Sequence, residues 1–331
     1  MRMQMGTKAT CIALSCVLMF SVAVLCIDAQ MIAWMTNRNQ DPAVSDKDFD
    51  IYVANADGSN ELRLTDNVAM DGYPAWSPDG KTIAFSSDRI HDGWLAEIWL
   101  IDVDGTNLRQ VTDSPTVGDL GPSFSPDGKS VCFETYAPDE FRQIVSVNID
   151  GSNRRELTES EEGIGSVQPD WGPDGRIVFS SGQGGNDDIW VMDADGSNQI
   201  KLTSDLAIDR DPVWSPDGKS IAFWSNRDGA LHTWVMDADG GNQRNLSEMI
   251  KDAFPDGPGG GWPSDWTPDG RILINGGGHT WIANADGSSE AAELIVDAGE
   301  LNGVYFDPAF ATSVSPAGKL ATSWGDIKSS R

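Results

Sequence analysis

The chain has 331 residues, with 51 acidic against 23 basic side chains and a formal net charge of −28. That balance excludes a nucleic-acid binder, which needs Lys and Arg to neutralise phosphates, and it disfavours an anionic lipid surface. It suits solubility, divalent cations or a basic partner.

The first 29 residues differ from the rest: Arg2 and Lys8 precede an apolar run over residues 11–27, which ends at Ile27-Asp28-Ala29. This is the pattern of a secretory leader, with the mature chain beginning at Gln30 and lying in the periplasm or outside the cell. A retained membrane anchor and a lipoprotein signal at Cys26 are the alternatives. Cys11, Cys16 and Cys26 fall in the leader, so the mature chain keeps only Cys132 and has no internal disulfide.

Residues 31–64 open with MIAWMTNR, which aligns with IAFWSNR at 221–227. The chain therefore enters a repeat at its second strand. From there one turn recurs: SPDG at 77–80 and 125–128, GPDG at 172–175, SPDG at 215–218, TPDG at 267–270 and SPAG at 315–318. Pro fixes φ in such a turn and Gly takes the left-handed position. Asp-Gly turns at Asp57, Asp104, Asp150, Asp195, Asp239 and Asp286 alternate with it, and the first series has a spacing of 43 to 52 residues. A period in the forties with two tight turns per unit predicts propeller blades.

Residues 212–246 give the clearest copy. Val213 and Trp214 precede the first turn, SIAFWS at 220–225 is the second strand, residues 233–236 the third, and residues 244–246 begin a short fourth. Uninterrupted blades start near Pro74, Pro122, Pro169, Pro212 and Pro263, and residues 308–316 are expected to supply the first strand and turn of the blade begun at Met31. The predicted fold is all-β: a six-bladed propeller of four-stranded antiparallel blades within residues 30–331, closed by its N- and C-terminal strands. LATSW at 320–324 leaves seven blades as the alternative. Trp76, Trp171, Trp214 and Trp266 recur before the first turn, and Trp99, Trp190, Trp234 and Trp281 recur in the third strand, so both sets are expected in inter-blade core.

PVWSPDGKSIAFWSNRDG at 212–229 and IWVMDADGSNQIKLT at 189–203 resemble the WD-like repeats of the TolB propeller family, and the resemblance covers about residues 31–325. It implies a propeller that binds partner proteins in the cell envelope without catalysis. Similar repeats occur in oligogalacturonate lyases and beside the hydrolase domains of some serine peptidases. The chain departs from TolB in having no α/β domain between leader and repeats, and it shows no GxSxG elbow.

In a propeller, the loops between strands two and three converge with the blade-to-blade connections at one mouth. Expected binding residues there are Arg38, Arg89 and Arg227 beside His91, His232 and His279, with Asp209 adding acid as do Asp71 and Asp119. The long connection over residues 247–263 contributes Lys251, Phe254 and Trp262. No catalytic residue and no cofactor are expected, and the blade spacing of the histidines argues against a shared metal. A divalent metal such as calcium is the alternative, because Asp-x-Asp-Gly-Ser-Asn at 193–198 has oxygen-rich spacing, although hairpin chemistry explains that turn without a metal. The expectation is a monomeric, exported protein-binding module without stable membrane insertion. The alternative is a metal-dependent uronate lyase using the same face.

Overall fold

The computed structural model describes residues 31–37, 49–56, 58–90, 95–136, 142–159, 165–251, 261–276, 279–288, 292–294 and 302–306. Its strands form six four-stranded antiparallel sheets. Blade 1 joins Asn302–Phe306 to Met31–Thr36, Asp50–Asn55 and Leu62–Arg63. Blade 2 runs Asp71–Trp76, Thr82–Ser87, Glu97–Asp102 and Arg109–Gln110, and blade 3 runs Gly118–Phe124, Ser130–Tyr136, Arg142–Asn148 and Arg155–Glu156. Blade 4 comprises Ser166–Trp171, Ile177–Ser181, Asp188–Met192 and Ile200–Lys201; blade 5 comprises Asp209–Trp214, Ser220–Ser225, His232–Asp237 and Arg244–Asn245. Blade 6 is Trp262–Trp266, Arg271–Gly276, His279–Asn284 and Ala292–Leu294. The first strands neighbour one another in order around a central axis, and that of blade 6 meets that of blade 1. The ring is a six-bladed β-propeller.

Closure differs from expectation in one respect. The strand that completes blade 1 is Asn302–Phe306, not residues 308–316, which lie outside the described residues together with LATSW. The register sets Phe306 opposite Ile32, as Trp76 stands opposite Ile83 in blade 2. The sequence after it, Asp307-Pro308, parallels Ser77-Pro78. The SPAG motif was the more conspicuous turn signal, but the NGVYF segment takes the pairing.

Strand alternation assigns each side chain to one of two seams. Ile83 and Phe85 pack toward blade 1 with Trp76, Ile51 and Val53, while Ala84 between them packs toward blade 3 with Phe124, Val131 and Phe133. Equivalent clusters fill the other seams: Phe179 with Cys132, Phe223 and Trp214 with Val178, Trp266 with Ala222, and Leu273 with Trp34 and Tyr52. Cys132 occupies the small-residue slot of Ala84 and Ala222, and burial, with Asp170 nearby, pushes its thiol well above its ordinary value. Trp76, Trp214, Trp266 and Trp281 are buried, whereas Trp99, Trp171, Trp190 and Trp234 are half-buried.

Both recurring turns close on their own hydrogen bonds. Gly80, at φ +66°, donates its amide to the Ser77 carbonyl, and the Ser77 hydroxyl donates to Asp79 Oδ1 at 2.8 Å. In the Asp-Gly turn, Asn198 Nδ2 donates to Asp193 Oδ2 and the Ser197 hydroxyl to Asp195 Oδ1, both at 2.6 Å. These carboxylates therefore serve hairpin geometry. Gly196, at φ +86°, also backs onto blade 3: a Cβ there would lie 2.5 Å from the Leu157 carbonyl oxygen.

Candidate binding site at the channel mouth

Antiparallel order brings the loops between strands two and three to the same end as the connections between blades. At this mouth, ion pairs tie strands together within blades 2, 3 and 5. Arg89 Nη2 lies 2.7 Å from Asp71 Oδ1, Arg227 Nη2 2.9 Å from Asp209 Oδ2, and Arg154 Nη1 2.9 Å from Asp119 Oδ2. The guanidinium carbons of Arg89 and Arg227 stand 4.7 and 4.6 Å from the ring centroids of Trp99 and Trp234. Asp71, Asp119 and Asp209 are fully buried, so each needs its cation.

The channel wall carries a second repeated device. In all six blades the first strand is bulged against the second, with two residues opposing one. Tyr73, Gly121, Gln168 and Asp211 hold this position in blades 2 to 5, all with φ between +49° and +62°. Side chains rarely adopt that conformation, and bulges re-aim a residue away from the ladder.

The bulge frees one backbone amide per strand, and three of the four are caught by the second strand of the preceding blade. The amide of Tyr73 reaches Met35 Sδ at 3.5 Å, that of Gly121 donates to Ser86 Oγ at 3.1 Å, and that of Gln168 donates to Glu134 Oε2 at 3.0 Å. Asp211 instead donates its amide to Gln168 Oε1 at 3.2 Å, an oxygen that also accepts from Ser180 Oγ. Met35, Ser86, Glu134 and Ser180 occupy the same slot in successive blades.

A further chain of bonds crosses the seams of blades 3, 4 and 5. Ser123 Oγ donates to Asp170 Oδ1 at 2.9 Å, and the Trp214 amide donates to Asp170 Oδ2 at 2.7 Å. Even so, burial holds the Asp170 carboxyl above its ordinary value.

The electrostatics of the channel are unusual. Burial pushes the Asp211 carboxyl up to about 6, against the opposing effects of the Trp224 indole N–H and Arg210. Burial also raises Glu134, opposed by the Gln168 amide and Arg142 and reinforced by Asp211. The Tyr73 hydroxyl is raised by burial first, then by Glu134 and Asp211. Residues of blades 2, 3 and 5 thus share one electrostatic environment across the axis.

The profile of the TolB beta propeller domain matches residues 92–308. The chain belongs to the TolB β-propeller family. A TolB homologue of Chlorobium luteolum is 32% identical over 148 residues, covering 45% of this chain and 32% of the relative. An uncharacterised protein of Agrobacterium fabrum is 35% identical over 140 residues, 40% of this chain and 46% of its own length. The chain thus spans less than half the length of these relatives. Among solved structures, TolB from Acinetobacter baumannii superposes with a TM-score of 0.67 at 22% identity, covering 84% of this chain and 66% of that one. At that identity the likeness speaks to fold.

Within this TolB-type ring the expected binding residues separate into groups. Arg89, Arg227 and Asp209 belong to the buried ion pairs. His232 does not sit in a loop but opens the third strand of blade 5; it is 8% exposed, with Nδ1 2.9 Å from Asp228 Oδ2. His279 likewise opens the third strand of blade 6. The connection after blade 5 begins as a short helix, Leu246–Ile250, capped by Asn245, and Lys251 at its end pairs with Glu248. Trp262, 44% exposed, opens the first strand of blade 6 at the channel mouth. Arg38, His91 and Phe254 lie outside the described residues. Among the described residues no group of three or more His, Cys, Asp or Glu is placed to hold a metal.

The channel residues Tyr73, Glu134, Gln168 and Asp211 were not singled out from sequence. A signal existed: Pro74, Pro122, Pro169 and Pro212 recur at the predicted blade starts, and inside a strand Pro is tolerated at a bulge.

Proposed function

We propose that this chain is a non-catalytic binding module, exported to the cell envelope, that engages a protein partner through the channel mouth. The observation that carries the reading is a rim of exposed apolar side chains there. Leu206 is 98% exposed, Val68 80% and Leu231 50%, with Ile90, Trp262 and Tyr73 each above 40%. They come from the connections after blades 1 and 4, from two strand-two-to-three loops, and from the first strands of blades 2 and 6. Rigid blades hold this rim in place, so binding proceeds with little rearrangement. Exposed apolar side chains displayed on one face of a rigid scaffold are the composition of an interaction surface.

The proposal includes a leader over residues 1–29, a periplasmic or secreted monomer, and no bound cofactor. No helix among the described residues is long and apolar enough to cross a membrane. Affinity capture from envelope extracts tests the reading. The wild-type ring retains a discrete partner, and Val68→Glu with Leu206→Glu loses it; equal capture by both proteins contradicts the assignment of the face.

A further inference from the structure

We propose that the channel mouth receives a basic polypeptide segment, one Lys or Arg side chain of which enters between Asp211 and Tyr73 while its neighbours cover the apolar rim. This rests on the binding-module reading and names the partner's chemistry.

The charge arrangement carries the argument. The described arginines around the mouth are already paired: Arg63 with Asp50, Arg89 with Asp71, Arg142 with Glu134, Arg154 with Asp119, Arg210 with Asp187 and Arg227 with Asp209. Asp211 stands apart. Its neighbour in sequence, Arg210, turns to Asp187, and Asp211 accepts only the neutral Trp224 indole N–H among the described side chains. The groups facing Asp211 are Glu134, Gln168, Trp224, Arg210 and, across the axis, Tyr73. Among the described residues no cation forms an ion pair with this carboxylate, and an incoming ammonium or guanidinium supplies one.

The aromatic residues complete the site. Tyr73 and Trp262 are half exposed at the mouth, and this protein already seats guanidinium groups on Trp99 and Trp234. An acidic segment would meet Glu134 and Asp211, while every described arginine around the mouth is already paired, which is discrimination by repulsion. The net charge of −28 adds long-range attraction for a basic partner.

The test uses a fluorescein-labelled peptide, Gly-Leu-Trp-Lys-Leu-Gly, and two versions with Gln or Glu in place of Lys, read by fluorescence anisotropy. The Lys peptide is expected to bind about tenfold more tightly than the Gln peptide, and the Glu peptide not to bind. Asp211→Asn keeps an acceptor for Trp224 and is expected to lose about tenfold for the Lys peptide alone. Tyr73→Asn, which tolerates the left-handed backbone, weakens it as well. Asp174→Asn, in a turn at the far end, leaves it unchanged. Affinity falls on acidification from about pH 8 to about pH 5, as Asp211 takes up a proton. Equal binding of the Lys and Gln peptides, an unaffected Asp211→Asn, or no binding of the Lys peptide overturns the proposal. If the peptides fail while a partner is still captured in a Leu206-dependent manner, the binding-module reading stands and this inference falls.

Discussion

The backbone amide of Gln168 donates to Glu134 Oε2 at 3.0 Å, so a side chain of blade 3 satisfies a donor that the bulge of blade 4 has released. The same logic links Tyr73 to Met35 and Gly121 to Ser86. A bulged strand thus locks to the preceding blade through the amide that the bulge removes from its own ladder.

Glu134→Ala removes the acceptor and leaves the Gln168 amide without a protein partner in a largely closed seam. The expected loss is about 1–3 kcal/mol, measured from urea unfolding. Glu134→Gln keeps an acceptor and removes a poorly solvated charge, so it is expected to cost little at neutral pH.

Two glycines separate backbone strain from steric clash. Gly175 and Gly196 have φ of +89° and +86°, but a Cβ at Gly175 meets nothing within 4 Å whereas one at Gly196 lies 2.5 Å from the Leu157 carbonyl oxygen. Gly175→Ala is expected to cost about 1–2 kcal/mol from conformation alone, and Gly196→Ala clearly more, because the Asp-Gly turn must lift off blade 3. Thermal unfolding of the two variants side by side tests the difference.

The six blades were legible because the Pro-Asp-Gly and Asp-Gly turns repeat with fixed chemistry. The closing strand was misplaced because SPAG at 315–318 carries the recurring turn motif in sequence, while Asn302–Phe306 lacks that motif and shows itself only through its register with Met31–Thr36. Sequence placed Arg89, Arg227, Asp71 and Asp209 near the mouth but not in pairs, since Asp71 and Asp209 face the arginines only after the first and second strands pair. The channel ring was the least legible feature. Met35, Ser86, Glu134 and Ser180 share one slot with four different chemistries, so residue type does not mark it.

Asp211 has a stability signature that depends on pH. Its carboxyl titrates near 3.8 when unfolded and about 6 when folded. The folded state binds the proton more tightly, so this group's contribution is fully present below the unfolded value and is lost as pH rises through about 6. Asp211→Asn is therefore expected to gain roughly 1–3 kcal/mol relative to wild type between about pH 4 and pH 8. Urea midpoints across that range read the gain; a difference independent of pH contradicts it.

Arg227 tests whether the ion pairs at the mouth are structural. Arg227→Met leaves Asp209, which is fully buried, without its cation and is expected to cost about 3–5 kcal/mol. Adding Asp209→Leu should recover much of that loss. Failure of the double variant to recover would show that the stack of Arg227 on Trp234, and not the charge pair, carries the stability.

Binding of the partner at the mouth of the propeller is directly observable. A photo-crosslinking amino acid placed at Val68 or Leu206, and separately at Leu108 or Ile200 on the outer edges, reads this directly in cells that export the protein. A discrete adduct is expected from Val68 and Leu206 and none from Leu108 and Ile200. Adducts from the outer positions alone, or the same adduct from all four, would contradict it.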